Sequence, residues 1–205
     1  MTQTSRKPDT FWDLTFDDEL VGYRNVIAEA FDLEVFDCTR LWNGIPFDGD
    51  FPPDAKLYLP PGQEPIADNI FSIQTSWLMF SDRLVEHLWP IIKGCVQVFP
   101  APLYELGSDR RVSGWQVLNV TKVLDCVDVE RSTPWRDIYD KDKIGGFYDV
   151  CIDPRRTEGV HMFKYVIPPG EVYTGVICSY ELVKSLEYKG FTGLAFIRCQ
   201  CKDEM

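Results

Sequence analysis

The chain has 205 residues, enough for one sizeable domain, and 45% of them are hydrophobic, which excludes a globally disordered protein. Its formal net charge of −11 argues against nucleic-acid binding, because that function needs a positive surface. No apolar run approaches the roughly 20 residues that span a bilayer, and the first residues lack the apolar core of a secretory signal. We therefore expect a cytoplasmic protein without a membrane partner.

The first 64 residues have the character of an acidic, turn-rich extension. Residues 1–54 carry 12 acidic and 4 basic side chains, so they hold −8 of the net charge. Apolar residues at helical spacing predict a helix over residues 17–31. Proline and glycine crowd residues 43–69, which predicts turning backbone with a short strand at residues 57–59. We interpret residues 1–64 as an elaboration of the same fold and residues 65–205 as its core.

Two later stretches share one pattern, in which a serine cap precedes an amphipathic helix, a Lys-Gly exit and a strand. The first places a helix over residues 76–93, with Ser81 capping its main part, and a strand over residues 95–99. Pro90 should kink or end this helix, since proline lacks the backbone donor. In the second, Ser179 opens a helix before a strand at residues 194–199. We interpret the likeness as two solutions to one packing problem, and a distant internal duplication is the alternative.

The middle of the chain is rich in β-branched residues, which predict strands at residues 115–120, 123–129, 147–152 and 160–167. Few helices, many short strands and no regular βαβ alternation are typical of an α+β fold. We expect a single domain in which a mainly antiparallel sheet carries a few packed helices, preceded by the turn-rich extension.

Seven cysteines occur, an odd number without a C-x-x-C pair, and most stand in apolar surroundings. This pattern predicts reduced, buried thiols. They are Cys38, Cys95, Cys126, Cys151, Cys178, Cys199 and Cys201. Cys199 and Cys201 would share one face of a strand, but two further ligands for a metal ion are not evident.

No common phosphate-binding, zinc-protease or serine-hydrolase motif occurs in the chain. The two histidines, His87 and His161, have no neighbour in sequence that would orient an imidazole for catalysis. Asp125, Asp128 and Glu130 form the densest carboxylate cluster, and such groups can serve acid–base chemistry or a hard metal ion. The alternative is that they cap turns and pair with basic side chains, and we predict this structural role. We accordingly predict no catalytic residue, no metal and no cofactor.

Three blocks within residues 65–200 resemble the immunity-protein family numbered eleven, long catalogued as a domain of unknown function. The first block contains Pro65, Asp68, Ser81 and Phe99-Pro100. The second contains Leu118-Asn119-Val120, then Val123, Asp125, Asp128, Glu130 and Ser132. The third contains Phe163-Lys164, Cys178-Ser179, Lys189-Gly190, Gly193-Leu194 and Phe196. The central block is moderately specific, and the other two are weaker alone but stronger in this order. The resemblance covers roughly residues 65–200, and little in residues 1–64 is recognisable.

The resemblance implies an immunity protein of a bacterial polymorphic toxin system, which inhibits a cognate toxin stoichiometrically and has no catalytic residues. The competing hypothesis is a small hydrolase or metal-dependent enzyme that uses Asp125, Asp128 and Glu130. A toxin gene beside that of the chain would favour the first hypothesis, and a deep pocket lined by these carboxylates would favour the second.

For the inhibitor, we predict that the acidic front of the chain and the loop around Trp42 and Phe47 contact the toxin. Complementary charge accelerates association, and exposed aromatic side chains supply lasting contact area. The predicted partner-binding residues are Asp17, Asp18, Glu19, Trp42, Phe47, Asp48 and Asp50.

Overall fold

The computed structural model describes residues 10–15, 29–30, 39–51, 56–59, 67–71, 77–108 and 110–201. The helices are α1 (Thr39–Trp42), α2 (Asp82–Ile92) and α3 (Tyr180–Leu186). The strands are β1 (Phe11–Thr15), β2 (Glu29–Ala30), β3 (Leu57–Leu59), β4 (Asn69–Phe71), β5 (Leu78–Ser81), β6 (Val96–Pro100), β7 (Leu103–Glu105), β8 (Trp115–Val120), β9 (Val123–Leu124), β10 (Thr133–Arg136), β11 (Ile144–Asp149), β12 (Met162–Ile167), β13 (Glu171–Val172), β14 (Val176–Ser179) and β15 (Ala195–Arg198). This α+β fold is the predicted class.

The strands form two larger sheets, a small three-stranded sheet and a separate hairpin. The largest sheet has the order β13-β12-β14-β1-β15, and β9 pairs with β12. The second has the order β4-β5-β8-β6, and the small sheet has the order β2-β3-β7. Strands β10 and β11 pair only with each other in the described structure. All pairings are antiparallel except β9 with β12 and β3 with β7, so the prediction of mainly antiparallel sheets is confirmed.

Strand β1 lies inside the largest sheet, between β14 and β15. Trp12 stands opposite Cys178 on one side and Arg198 on the other. The N-terminal region therefore supplies an interior strand to a sheet whose other members come from the last half of the chain. The boundary between residues 64 and 65 stays a prediction.

Apolar side chains form three buried clusters. The middle cluster joins both larger sheets to α2 and α3, since Leu84 and Leu88 pack with Leu118, Met162 and Leu182. At about 25 cal/mol per Å², burial of such a leucine side chain stabilises the fold by roughly 2 kcal/mol. This shared interior is why the two larger sheets form one body.

Both predicted serine caps are confirmed. The Ser81 Oγ accepts a hydrogen bond from the Leu84 N–H, and the Ser179 Oγ accepts one from the Leu182 N–H, each at 3.3 Å. The start of the first helix was predicted wrongly, because residues 78–81 are strand β5, which is hydrogen-bonded on both sides. Pro90 does not end α2, which continues to Ile92, because one missing donor in the last turn breaks few bonds.

Asp68 ties the start of α2 to the loop before β15. Its carboxylate is 5% exposed overall and accepts hydrogen bonds from the Ser81 Oγ at 2.6 Å, the Arg83 Nε at 2.6 Å and the Thr192 N–H at 3.0 Å. Burial raises the pKa of this carboxyl, but the bonds from Arg83, Ser81 and Thr192 outweigh burial and hold it below 3.8. Asp68 is therefore a charged structural centre.

Two sequence predictions need correction, and part of the second falls outside the described structure. Within the predicted strand 123–129, only Val123–Leu124 is strand, since the chain then turns and Val127 forms an isolated bridge with Ile152. The predicted helix over residues 17–31 does not extend over residues 29–30, which are β2. The rest of that helix lies outside the described residues.

The cysteines divide into two groups. Cys151 and Cys201 form a disulfide, so the prediction that all the thiols are reduced is wrong for this pair. The chain that follows β15 brings Cys201 next to Cys151. These residues are 50 positions apart, so their spacing in the sequence gave no sign of the contact. Cys95, Cys126 and Cys178 are free and buried, as predicted, and the free thiol of Cys199 is half-buried. Cys38 lies outside the described residues.

Candidate functional site

In residues 43–51, the part of the predicted anchor loop that follows Trp42, the two phenylalanine rings turn toward the core. Trp42 ends helix α1 and is not part of a flexible loop. Trp42, Phe47 and Phe51 are partly buried against the first core cluster. The expectation that Trp42 and Phe47 stand exposed on the surface is therefore wrong, because the core offers these rings an apolar environment.

A glutamine clamp fixes this loop to the second sheet. The Phe47 N–H donates to the Gln97 Oε1 at 2.8 Å, and the Gln97 Nε2 donates back to the Phe47 carbonyl oxygen at 2.9 Å. The fully buried Asn119 donates from Nδ2 to the Ile45 carbonyl oxygen at 2.9 Å. These amides replace backbone partners that an irregular segment lacks, so the loop is held in place. We call residues 43–51 the clamped loop.

Aromatic rings complete the attachment of the clamped loop. Phe47 contacts Phe51 and Phe99 with both ring centroids 5.7 Å away, and Phe51 meets Trp77 at 5.2 Å. Such edge-to-face pairs add to the free energy gained by burial. Phe47 therefore has ring partners inside the chain, whereas contact of Trp42 and Phe47 with a toxin stays a prediction.

The predicted acidic binding residues are only partly described. Asp48 and Asp50 are exposed on the clamped loop and face solvent. Asp17, Asp18 and Glu19 lie outside the described residues. Contact between these five carboxylates and a partner stays a prediction.

Asp125, Asp128 and Glu130, the three carboxylates of the middle block, have different surroundings. The Asp128 Oδ1 accepts from the Arg131 N–H at 3.2 Å, which caps a turn. The exposed Asp125 carboxylate lies 3.6 Å from the Arg156 guanidinium, and Glu130 is exposed. Across the described ranges, no three His, Cys, Asp or Glu side chains are grouped as metal ligands. The turn cap at Asp128 favours a structural role for that residue.

A buried ionisable cluster in the largest sheet was missed by sequence reasoning. Asp13 accepts a hydrogen bond from the Tyr173 hydroxyl, and the 4% exposed Lys164 donates from Nζ to the Thr174 carbonyl oxygen at 2.6 Å. Burial raises the pKa of Asp13 to about 6, although Tyr173 and Lys164 oppose this shift. Burial lowers the pKa of Lys164 to about 8, and Asp13 opposes that change. The warning signal in the sequence was a lysine inside an otherwise apolar strand.

A cleft of about 240 Å³ lies beside this cluster. Its lining includes Asp13, Thr15, Asn69 and Tyr173. Asn69 is 1% exposed and donates from Nδ2 to the Gly193 carbonyl oxygen at 2.9 Å. The polar side chains that line this small cleft also hydrogen-bond within the protein. Asp13 and Tyr173 bond to each other, and Asn69 bonds to Gly193, so these residues have a structural role as well.

The hairpin β10–β11 exposes several large apolar and aromatic side chains. Ile138 is 69% exposed, Tyr139 is 92% exposed and Tyr148 is 77% exposed. Trp135 is 37% exposed and lies over the backbone of Gly145 and Gly146. The sequence prediction included strand residues 147–149 but not β10 or the turn, so this surface was missed. The available signal was a tryptophan followed ten residues later by a Gly-Gly pair.

The model of the immunity protein family Imm11 matches residues 5–201. The chain belongs to this family. Membership in Imm11 confirms the resemblance drawn from the three sequence blocks. The match also includes residues 5–64, so the prediction that the resemblance covers only residues 65–200 is wrong. Membership implies a toxin-neutralising role and a toxin partner in general. Among curated proteins, no significant match to the chain is found.

Several residues of the three sequence blocks have structural roles in this chain. Asp68 joins α2 to the last loop, Asn119 holds the clamped loop, and the Ser132 Oγ accepts from the Cys151 N–H at 2.9 Å. Of the helices that the structure describes, none has the length and apolar character to cross a membrane. Asp68, Asn119 and Ser132 of these blocks therefore hold parts of the scaffold together.

Proposed function

We propose that this chain is an immunity protein that binds one cognate toxin of a bacterial polymorphic toxin system and inhibits it stoichiometrically. The observation that carries this proposal is the match to the Imm11 family over residues 5–201. The chain would act in the cytoplasm of the cell that makes the toxin, by occupying the toxin and not by chemical turnover.

The surroundings of both histidines support inhibition by binding. The His87 Nε2 lies 2.8 Å from the Ser185 carbonyl oxygen, which links α2 to α3. The His161 Nδ1 lies 2.9 Å from the Oγ of Ser179, the residue that caps α3. Each imidazole thus has a structural partner in the scaffold, and among the described residues neither is paired with a thiol in the way that a Cys–His nucleophile requires.

Charge supports a basic protein as the partner and argues against nucleic acid. The net charge is −11, and residues 1–54 hold −8 of it. An acidic surface attracts a basic protein and accelerates the encounter between the two. We propose that Asp17, Asp18, Glu19, Asp48 and Asp50 contribute to this attraction.

Growth and titration experiments test the proposal. Each gene adjacent to that of the chain is expressed from an inducible promoter in a laboratory host, with and without the chain. We expect one neighbour to arrest growth and the chain to restore it. The purified pair should form a complex of fixed stoichiometry, and toxin activity should fall linearly until one equivalent is added. Protection by far less than one equivalent would contradict inhibition by binding and would indicate an enzyme.

A further inference from the structure

The hairpin β10–β11 carries four exposed apolar or aromatic side chains. We call Trp135, Ile138, Tyr139 and Tyr148 the hairpin surface. Tyr139 and Ile138 stand in the turn, and Tyr148 stands near the base of β11, roughly 15 Å away along the strand at about 3.3 Å per residue. Exposed tyrosines and a tryptophan on one unit match the composition of residues that dominate binding energy at protein interfaces.

The other side of this hairpin is packed against the core. Ile144 and Phe147 pack on the third core cluster, and the Phe147 ring lies 6.2 Å from that of Tyr165. Lys143 adds an ion pair with Glu171 at 2.5 Å. The hairpin is thus attached to the largest sheet while the hairpin surface remains accessible.

The turn of the hairpin is organised by its own hydrogen bonds. The Asp137 Oδ1 accepts from the Tyr139 N–H at 2.7 Å and from the Asp140 N–H at 3.1 Å. These two bonds hold the pKa of the Asp137 carboxyl below its ordinary value, so this acceptor stays charged. A turn fixed before binding loses less conformational entropy when a partner is bound.

The charges beside the hairpin surface indicate the chemistry of its partner. Residues 133–149 contain four carboxylates, on Asp137, Asp140, Asp142 and Asp149, and three basic side chains. One of those three, Lys143, is paired with Glu171, which lies outside the hairpin. Residues 133–149 carry a net charge of −1, and together with Glu171 they carry −2, so the rim is mildly acidic and complements an apolar pocket surrounded by basic side chains.

We propose that the hairpin surface is the contact site for the cognate toxin, with Tyr139 and Tyr148 as its anchors. This assignment rests on the proposed immunity function. It differs from the sequence prediction, which gave the anchoring role to Trp42 and Phe47. The toxin would supply a shallow apolar pocket with a basic rim, and the acidic groups of the hairpin would orient it.

The test compares a double variant, Tyr139→Ser with Tyr148→Ser, against the wild-type chain in the growth assay with the toxic neighbouring gene. Both side chains are largely exposed, so the thermal unfolding midpoint should stay unchanged. We expect the variant to lose protection and its affinity for the purified toxin to fall at least a hundredfold. The matched control is Tyr188→Asn, which removes a fully exposed tyrosine that follows α3 and places asparagine at a positive φ that it tolerates.

The outcomes separate the two proposals. If the wild-type chain rescues growth and the folded double variant rescues it equally well, the hairpin assignment is wrong and the immunity function stands. If the wild-type chain relieves the toxicity of no neighbouring gene, both proposals fall. An equal loss in the Tyr188→Asn control would show that the effect is not specific to the hairpin. A wild-type dimer that the double variant splits would assign the surface to a second copy of the chain, against our proposal.

Discussion

The clamped loop and the hairpin are both short segments with glycine and aromatic residues, yet they direct their rings in opposite ways. In the clamped loop, Phe47 and Phe51 pack on Phe99 and Trp77, while Asp48 and Asp50 face solvent. In the hairpin, Tyr139 is 92% exposed. The difference shows that composition alone does not identify a binding surface, because the space available in the core decides which rings remain outside.

The largest expected effect lies in the buried cluster around Asp13, outside both segments. It sets the scale against which the effects of changes in the two segments on the free energy of unfolding can be compared. The folded pKa of Asp13, about 6, lies above its ordinary value of 3.8. Its contribution to stability is therefore complete below pH 3.8 and is lost as the pH rises through 6. The free energy of unfolding of wild type relative to Asp13→Asn should fall by about 3 kcal/mol between pH 3 and 7, as measured by urea denaturation. A difference that is flat or rises with pH would contradict this burial.

The next effect tests the inward direction of the clamped loop. Phe47→Ala should lower the free energy of unfolding by about 2–3 kcal/mol, because it removes a ring that packs on Phe51 and Phe99. Tyr139→Ala in the hairpin should change it by less than about 0.5 kcal/mol. Chemical denaturation of both variants makes the comparison, and equal losses would remove the distinction between the two segments.

A smaller loss is expected when the glutamine clamp is removed. Gln97→Ala leaves the Phe47 N–H and carbonyl without these partners, so unfolding should become easier by about 1–2 kcal/mol. Gln116 is the matched control, since its amide donates only to the exposed Asp82 carboxylate in the described contacts. Gln116→Ala should cost less than half as much in the same denaturation experiment.

A local effect is expected on the hairpin itself. A Cβ at Gly146 would lie 2.8 Å from the Trp135 Nε1, so Gly146→Ala must displace the indole ring. We expect a loss of about 1 kcal/mol, typical of overpacking, and a red-shifted tryptophan emission. Gly94→Ala is the control, because a Cβ there has no neighbour within 4 Å. Emission that is unchanged in Gly146→Ala would mean that Trp135 does not lie over the glycines.

The smallest effect concerns charge and does not alter the fold. Replacing Asp17, Asp18, Glu19, Asp48 and Asp50 with the corresponding amides should slow association with the toxin about tenfold at low salt. The rate constants of dissociation should change little, because steering acts before contact. Stopped-flow measurements over a range of salt concentrations test this, and an unchanged salt dependence would exclude these five residues from steering.

Much of the scaffold was predictable from local patterns. Ser81 and Ser179 were recognised as caps because serine followed by an amphipathic run has few other interpretations. Strands β6, β8, β12 and β15 were located from their β-branched and aromatic residues. The error at residues 78–81 arose because Leu78, Met79 and Phe80 form a continuous apolar run, which fits a buried strand and a buried helix equally well.

The candidate sites were less predictable because they depend on contacts between distant residues. Gln97 meets Phe47 across 50 positions, and Tyr173 meets Asp13 across 160. No local pattern signals such pairs, so Phe47 was interpreted as exposed and Asp13 was not singled out. The disulfide between Cys151 and Cys201 was missed for the same reason, because only the path of the chain after β15 brings the two cysteines together.

The position of β1 also has a consequence for biosynthesis. This strand leaves the ribosome early, whereas its neighbours β14 and β15 are made roughly 160–185 residues later. At about 5–20 residues per second, its edges stay without those neighbours for roughly 10–35 s in each nascent chain. Nascent chains therefore cannot complete the largest sheet during most of their synthesis. For an immunity protein, protection at any moment depends on the pool of molecules that have already been finished.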